Sequence, residues 1–197
     1  EPVNYGQLIN GSSLAVADAR FIDTVTLAKA DTTLVAGDTV ILKDRASGVF
    51  DVITGVGTAN TWDIIANDAG TLSLSLRNIQ PLNALSFGVN TASADNQGAI
   101  NRWLSFGGEL TIDAGTYLTT TFDLVANTHL YGPRSVIFKL VDTSDLDLLD
   151  CGSANNIVIE GITLDGNKAN QTVDFDAVVI RSDGSENVTV KDCLIKN

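Results

Sequence analysis

The sequence predicts an all-β protein in which a small antiparallel β domain precedes the helix-capped start of a right-handed parallel β-helix. Three observations predict this fold: a 31-residue repeat near the C-terminus, an amphipathic segment ahead of it, and short alternating strands before both. β-Branched runs at a fixed spacing are typical of stacked rungs in a solenoid. We therefore predict two domains, residues 1–80 and residues 81–197.

The N-terminal domain is predicted to consist of short strands separated by turn-forming Gly, Asp and Ser residues. Ahead of these strands, Ser12-Ser13 suits the cap of a short helix that runs from Leu14 to Phe21. Regular short strands with such turns indicate a small antiparallel sheet. The predicted strands cover residues 39–43, 49–53, 62–65 and 71–76.

An amphipathic helix is predicted from Asp95 to Phe106, where apolar residues recur at helical spacing. Asp95 is the predicted N-cap, and Gly107-Gly108 is the predicted stop. A helix in this position covers the open apolar end of the first rung and protects its edge. The predicted strands that follow cover residues 109–112, 113–118, 127–132 and 136–138.

The repeat aligns residues 156–164 with residues 187–195. Because side chains alternate across a strand, every second residue of each run faces the interior of the coil. A corner is expected at Glu160-Gly161 in one rung and at Lys191-Asp192 in the next. The expected inward stacks are Val188 on Ile157, Val190 on Ile159, Cys193 on Ile162 and Ile195 on Leu164.

Both ends of the chain have unusual features for a complete solenoid protein. The chain begins with Glu1 and contains no Met, and residues 193–197 lie within a rung that no capping segment follows. Terminal repeats of solenoids are normally capped by polar, atypical segments. We therefore expect the chain to be a fragment of a longer protein.

The charge balance argues against a nucleic-acid partner. The chain has 24 acidic and 12 basic residues, a net charge of −12, and no large cluster of Lys or Arg. Binding of DNA or RNA requires basic residues that displace counterions, and an anionic membrane surface attracts basic segments in the same way. No apolar run reaches the length of a transmembrane span, so membrane insertion is not expected.

The two cysteines, Cys151 and Cys193, are too few for a disulfide framework. The repeat places Cys193 at the inward position of Ile162, and Cys151 beside Ser182 near a corner. A thiol at such a position behaves as a small hydrophobic group. We interpret both as packing residues rather than redox or metal-binding residues, and we expect no cofactor and no metal centre.

The part of the chain after residue 81 resembles the opening of pectate-lyase-like β-helices, a superfamily widespread in bacteriophage tailspikes. The resemblance rests on Leu85–Val89, on Asp95–Ile100, and on the Gly-Gly and Gly-Thr-Tyr motifs within residues 107–118. It extends over about Leu82 to Asn197, although the family's Gly-Asp-Gly-x-x-Asp-Asp motif is reduced here to residues 90–95. The N-terminal domain is more loosely similar to the small β domain that precedes the β-helix in many tailspikes.

The resemblance implies a receptor-binding protein located in the virion, on the phage tail, that attaches to host surface polysaccharide and depolymerises it. It also implies a homotrimer whose N-terminal domain contacts a tail or baseplate protein. Secreted bacterial polysaccharide lyases or hydrolases, and β-helical adhesins without enzymatic activity, are the alternatives, because fold alone does not separate these classes. In the family, catalytic carboxylates usually lie on the middle rungs or between subunits, beyond most of this chain.

The best candidate site within the chain is the loop from Asp165 to Asp176, which leaves one strand and returns to another. Asp165, Asp174 and Asp176 are the candidate catalytic residues, because paired carboxylates serve as acid and base in glycosidic cleavage. Carboxylate oxygens are also the ligands that Ca²⁺ prefers. The simpler interpretation is that Asp, Asn and Gly suit exposed turns. His129, the single histidine, has no nucleophile placed beside it and is expected to point outward or toward the cap.

Overall fold

The structure is a computed structural model that describes residues 19–46, 48–56, 59–60, 62–77, 79–172 and 180–196. The chain divides into two compact units, and the boundary falls after Arg77. Strands far outnumber helices among the described elements, and most of the sheets are parallel. This composition confirms the predicted all-β fold class.

The first unit is a small, mainly antiparallel β-sheet. Its elements are β1 (Arg20–Ile22), α1 (Val25–Ala30), β2 (Thr39–Leu42), β3 (Gly48–Thr54), β4 (Ile64–Ala66) and β5 (Leu72–Leu76). The strand order is β1-β2-β3-β5-β4. All neighbouring pairs are antiparallel except β1 and β2, which are parallel and are connected through α1. Alternation along β2 and β3 buries Val40, Leu42, Phe50 and Val52 in one core with Ala28 of α1.

The structure corrects the end of the helix predicted for this unit. Arg20 and Phe21 belong to β1 rather than to a helix that ends at Phe21, and residues 14–18 of that prediction lie outside the described part of the chain. The observed helix, α1, begins after Thr24, whose Oγ1 accepts a hydrogen bond from the Leu27 amide at 3.2 Å. A helix of six residues is too short to show a helical period in the sequence.

The second unit is a parallel β-helix whose successive coils contribute strands to three sheets. The first sheet has the order β6-β7-β10-β13-β16, the second β8-β11-β14-β17 and the third β9-β12-β15. All of these pairs are parallel. The strands are β6 (Leu82–Asn83), β7 (Gly108–Thr111), β8 (Gly115–Thr119), β9 (Phe122–Asp123), β10 (Thr128–Tyr131), β11 (Val136–Leu140), β12 (Leu149–Asp150), β13 (Ile157–Glu160), β14 (Thr163–Asp165), β15 (Ile180–Arg181), β16 (Val188–Lys191) and β17 (Leu194–Lys196). Short 3-10 helices cover Ala84–Phe87 and Lys168–Asn170.

The strand register confirms the 31-residue repeat. Val188 pairs with Ile157, and Val190 pairs with Ile159. Both isoleucines are fully buried, so they face the interior of the coil as predicted. After the corner, the amide of Leu194 donates to the carbonyl of Ile162 at 3.0 Å, and this bond keeps the next strand in the same register.

The last described coil is more exposed than the coils below it. Cys193 is half-buried, whereas Cys151 is buried. Val190 and Ile195 are 39% and 51% exposed, although their partners one coil earlier are buried. No described strand pairs with the far edges of β16 and β17, so one side of these side chains has no neighbour. Ile195 therefore keeps the predicted register without the predicted burial.

Helix α2 (Gln97–Leu104) covers the first coil. Its Ile100, Trp103 and Leu104 are fully buried. The Asn101 side chain accepts the amide of Asp123 in β9 at 3.0 Å, at an edge where none of the described strands precedes β9 in the third sheet. The helix therefore satisfies and covers the start of the coil, as an N-terminal cap must.

The ends of α2 differ slightly from the prediction. The N-cap residue is Asn96 rather than Asp95, and Asp95 Oδ1 instead accepts the amide of Gln97 at 2.9 Å. Asp95 thus accepts a hydrogen bond from the first helical amide, although it lies one residue before the N-cap. Gly107 follows the helix with a positive φ of 59°, the backbone conformation that ends a helix readily at glycine.

Three asparagines stack at the same corner of successive coils. Asn127, Asn156 and Asn187 all have φ near 60°, in the left-handed region that asparagine tolerates. Asn187 Nδ2 donates to Asn156 Oδ1, and Asn156 Nδ2 donates to Asn127 Oδ1, both at 3.1 Å. This side-chain ladder gives Asn187 a structural role at the corner.

Candidate functional site

Polar and aromatic side chains cover the outward face of the first sheet, on β7, β10, β13 and β16. Their inward neighbours Leu110, Leu130 and Ile159 are fully buried, so the residues between them face outward. In-register pairing arranges the outward residues in two rows. One row contains Glu109, His129, Val158 and Thr189, and the other contains Thr111, Tyr131, Glu160 and Lys191.

The imidazole of His129 bridges two carboxylates. Its Nδ1 lies 3.2 Å from Oε1 of Glu109, and its Nε2 lies 3.0 Å from Oε2 of Glu160. An ionised carboxylate only accepts hydrogen bonds, whereas a neutral imidazole has a single N–H to donate. A neutral ring therefore donates to one of the two carboxylates, and a ring that carries two protons donates to both.

Glu160 also forms an ion pair with Lys191. Lys191 Nζ lies 2.9 Å from the same Oε2 that faces His129. The hydrogen bond from Lys191, followed by the one from His129, lowers the pKa of Glu160 below its ordinary value. Glu160 is therefore a carboxylate throughout the neutral pH range.

The His129 and Tyr131 rings form a small aromatic surface between the two glutamates. Their centroids are 4.9 Å apart with an interplanar angle of 42°. Both residues are half-buried, so part of each side chain remains accessible. Partial burial, and then the charge of Glu109, raises the pKa of Tyr131, so its phenol keeps its proton at neutral pH and can donate a hydrogen bond.

Asp165, the first of the predicted site residues, lies at the end of β14. Its Oδ1 accepts the amide of Asn167 at 2.9 Å, and its Oδ2 lies 3.1 Å from Lys196 Nζ. The side chain is only 15% exposed. Its two oxygens are thus engaged in holding the corner and in an ion pair between neighbouring coils. Asp174 and Asp176 lie outside the described residues, so their pairing with Asp165 stays a prediction.

The described part of the predicted loop, residues 166–172, folds back onto the coil below. Asn167 has a φ of 54°, and its Nδ2 donates to the Leu140 carbonyl at 2.9 Å and to Asp142 Oδ1 at 2.8 Å. Gln171 Nε2 donates to the Val141 carbonyl at 3.1 Å. These bonds satisfy backbone groups at a corner, as the simpler interpretation of this loop expects.

A pair of aspartates on the third sheet was not found from the sequence. Asp123 and Asp150 are direct neighbours on β9 and β12 and border a shallow depression that Cys151 also lines. Partial loss of hydration, and then the charge of Asp150, raises the pKa of Asp123. In the sequence, each aspartate directly follows an apolar residue, in Phe122-Asp123 and in Leu149-Asp150. This shared pattern predicts a contact only when the register of the two coils is known.

The outward cluster on the first sheet was also missed, apart from His129. Alternation in each strand identifies Glu109, Tyr131, Glu160 and Lys191 as outward residues. The contact of Glu109 with His129 depends on the 20-residue offset between β7 and β10, which differs from the repeat, whereas Glu160 lies at the 31-residue spacing from both His129 and Lys191. The sequence predicted that His129 points outward or toward the cap, but it did not predict the two glutamates that contact the imidazole.

Neither a metal centre nor a membrane span is found in the part of the chain that the structure describes. There, no three His, Cys, Asp or Glu side chains converge as metal ligands would. The described helices are also too short or too polar to cross a bilayer.

No protein-family model matches the chain, and no curated protein matches it. Its fold is similar to a solved structure, that of the tailspike protein gp49 from Acinetobacter baumannii bacteriophage Fri1, a capsular polysaccharide depolymerase. The TM-score is 0.63 and the sequence identity is 9%. The similarity covers 88% of this chain and 42% of gp49, so the chain spans less than half of that protein's length. At this identity the likeness shows the fold, and it agrees with the predicted β-helix.

Proposed function

We propose that this chain is part of a bacteriophage tailspike that attaches the virion to polysaccharide on the host surface. The observation that carries the proposal is the likeness to a phage tailspike over 88% of the chain, a length that takes in residues of both compact units. A small β unit ahead of a helix-capped β-helix is the arrangement that the sequence resemblance also implies. In this proposal the β-helix forms the receptor-binding shaft, and the first unit links it to a tail or baseplate protein.

The oligomer we propose is a homotrimer in the virion. Closed cyclic symmetry suits a spike, because each subunit presents the same surface around one long axis. Light scattering coupled to size-exclusion chromatography of the full-length protein tests this proposal. A mass of three subunits is expected, and a stable monomer at micromolar concentration would contradict it.

For the whole protein we propose depolymerase activity, but for these 197 residues alone we expect binding without cleavage. Glycosidic cleavage needs two carboxyl groups about 5 to 10 Å apart on either side of one bond. On the first sheet, Glu109 and Glu160 flank an imidazole instead of an open space. At Asp165 both carboxylate oxygens are engaged with the coil.

The test of attachment is an array of capsular polysaccharides and lipopolysaccharides from many bacterial strains, probed with the labelled protein. We expect saturable binding to a small number of them. The bound polysaccharide is then incubated with the protein and assayed for new reducing ends and for unsaturated sugars. Absence of binding to every bacterial polysaccharide would overturn the proposed function. If these 197 residues cleaved the polysaccharide, and Asp174→Ala or Asp176→Ala abolished the cleavage, the proposal that this part of the protein binds without cleaving would be overturned.

A secreted bacterial polysaccharide lyase is the alternative on the same scaffold. It predicts unsaturated sugars as products and a secretion signal in the complete reading frame. A β-helical adhesin predicts binding, with no cleavage by the full-length protein either. The same array and product assays therefore separate the three functional classes.

A further inference from the structure

We propose that the outward face of the first sheet around His129 and Tyr131 is a binding subsite for one uncharged pyranose unit of a polysaccharide. The subsite consists of Glu109, His129, Tyr131, Glu160 and Lys191, and we call it the His129 subsite. The proposal rests on the proposed function for its polymeric ligand. The location and the sugar class come from the geometry of these side chains.

The aromatic part of the subsite suits the apolar face of a sugar ring. A pyranose exposes C–H groups on its faces and hydroxyl groups around its rim, so it binds best where a ring surface is bordered by hydrogen-bonding groups. The tilted rings of His129 and Tyr131 supply that surface. Val158 follows His129 in the same outward row and is half-buried, which extends the apolar strip across the next strand.

The carboxylates suit the rim of the sugar. The side chains of Glu109 and Glu160 are 55% and 34% exposed, so each remains partly accessible beside its contact with His129 and, for Glu160, with Lys191. A carboxylate accepts two or more hydrogen bonds, and the bond to the imidazole fixes its position in advance. Neighbouring hydroxyl groups can therefore donate to groups that are already oriented, which lowers the entropic cost of binding.

The charges favour an uncharged sugar. Lys191 is paired with Glu160, and each nitrogen of His129 faces a carboxylate, so the two glutamates leave the cluster without a net positive charge in either protonation state of the ring. A uronic acid, sulfate or phosphate would find no uncommitted cation within this cluster. The chain as a whole carries a net charge of −12, which adds long-range repulsion toward a polyanion.

The same contacts also stabilise the sheet, because opposite charges on neighbouring strands attract each other. A purely structural ladder would change stability when it is cut but would leave glycan affinity unchanged. The two roles are therefore separated by a spectroscopic signal of ligand binding that comes from a residue of the His129 subsite. His129 is the single histidine of the chain, so its imidazole resonances can be assigned without ambiguity.

The experiment is an NMR titration of the whole chain with oligosaccharides cut from each polysaccharide that binds in the array. We expect the His129 ring signals to shift in a saturable manner with oligosaccharides built from uncharged units. Tyr131→Ala should weaken binding about tenfold, because it removes half of the aromatic surface. Lys139→Ala is the matched control, since Lys139 is an outward, half-buried residue on the neighbouring second sheet, and it should change affinity by less than about twofold.

The outcomes distinguish this inference from the proposed function. Saturable binding that leaves the His129 signals and the Tyr131→Ala affinity unchanged would overturn the subsite while attachment to polysaccharide still holds. Binding through these residues only to chains of anionic units would overturn the sugar class. Failure to bind any polysaccharide would overturn the proposed function first. Because Tyr131→Ala could unfold the coil, Tyr131→Phe is measured beside it, and this variant should retain most of the affinity because it keeps the ring.

Discussion

The corner loop at residues 166–172 and the His129 subsite use polar side chains in opposite ways. In the loop, Asn167 and Gln171 donate to carbonyl groups of the coil below, so their polar atoms support backbone. On the first sheet, the side chains of His129, Glu109 and Glu160 contact one another, and the backbone groups are paired between strands. Polar residues at corners thus hold the fold, whereas those on the sheet face keep accessible surface for a ligand.

This difference decides which polar cluster is a useful functional candidate. Turn residues such as Asp and Asn attract attention in a sequence because they also build active sites. A corner of a parallel β-helix needs the same residues for backbone reasons alone, as the stacked Asn127, Asn156 and Asn187 illustrate. The outward face of a strand has no such requirement, so an ordered cluster there calls for a different explanation.

The largest effect is expected at a corner glycine. Gly161 has a φ of 76°, and a Cβ at this position would lie 2.3 Å from the carbonyl oxygen of Gly132 on the coil below. Gly161→Ala should therefore lower the free energy of unfolding by about 3 kcal/mol or more, since both the backbone and the coil spacing must adjust. Urea unfolding followed by circular dichroism measures it.

Gly184→Ala is the matched control for that substitution. Gly184 has a similar φ of 80°, but a Cβ there would meet nothing within 4 Å. Only the cost of a left-handed alanine remains, about 1 kcal/mol. Equal losses for the two variants would mean that contact between coils does not limit this corner.

The next effect is expected at Asn167. Asn167→Ala removes the donors to the Leu140 carbonyl and to Asp142, and it leaves an alanine at positive φ. A loss of about 2 kcal/mol in unfolding free energy is expected. Asn170→Ala, which removes one exposed donor to Asn167, should cost less than half as much. The interpretation of the loop as structural fails if Asn167→Ala leaves stability unchanged.

On the sheet face, the expected effect depends on pH. Lys191 and then His129 lower the pKa of Glu160, so its folded value lies below its unfolded value, near 4.5. The stabilisation from Glu160 is therefore present above about pH 4.5 and is lost as the pH falls through the lowered folded value. Glu160→Gln should lower the melting temperature at pH 7, and the difference from the wild type should disappear in stronger acid.

Lys191→Gln supplies the control for that pH dependence, because it removes the largest cause of the shift while it keeps the carboxylate. The loss of stability on acidification should then be smaller than in the wild type and should be complete closer to pH 4.5. If the melting temperature of each variant differed from that of the wild type by the same amount at every pH, the lowered pKa of Glu160 would be contradicted.

The smallest effect, and one of opposite sign, is expected at Asp123. Its raised pKa means that the folded state disfavours the charged form, so the cost is absent in strong acid and present above the folded pKa. Asp123→Asn should raise the unfolding free energy by about 0.5 kcal/mol at pH 7, because it removes the like charge opposite Asp150. Asp183→Asn, which removes the ion pair with Arg181, should not stabilise the protein. A loss of stability in Asp123→Asn would contradict the assignment.

The sequence predicted the coil because its interior has a period. Ile157, Ile159 and Ile162 recur as Val188, Val190 and Cys193, and side-chain alternation then determines which face is inward. It did not predict α1, since six residues with two β-branched side chains at the start show no helical period. Local patterns that repeat were recoverable, and a short unrepeated element was not.

The candidate site was less accessible from the sequence for a different reason. Glu109, His129 and Glu160 meet across three strands, at separations of 20 and 31 residues. The first of these offsets follows from the length of the corners between β7 and β10, which no periodic pattern encodes. Asp165 stood out because its neighbours in sequence are polar, yet those neighbours are the groups that fix the corner.

The most direct test of the account compares His129→Ala with Asp165→Ala in their affinity for the same bound polysaccharide. Circular dichroism first establishes that both variants remain folded, and titration calorimetry then gives the dissociation constants. We predict that His129→Ala weakens binding about tenfold, since it removes one ring and releases both glutamates. Asp165→Ala should stay within about twofold of the wild type. The reverse order, with Asp165→Ala abolishing binding and His129→Ala leaving it intact, would contradict the account.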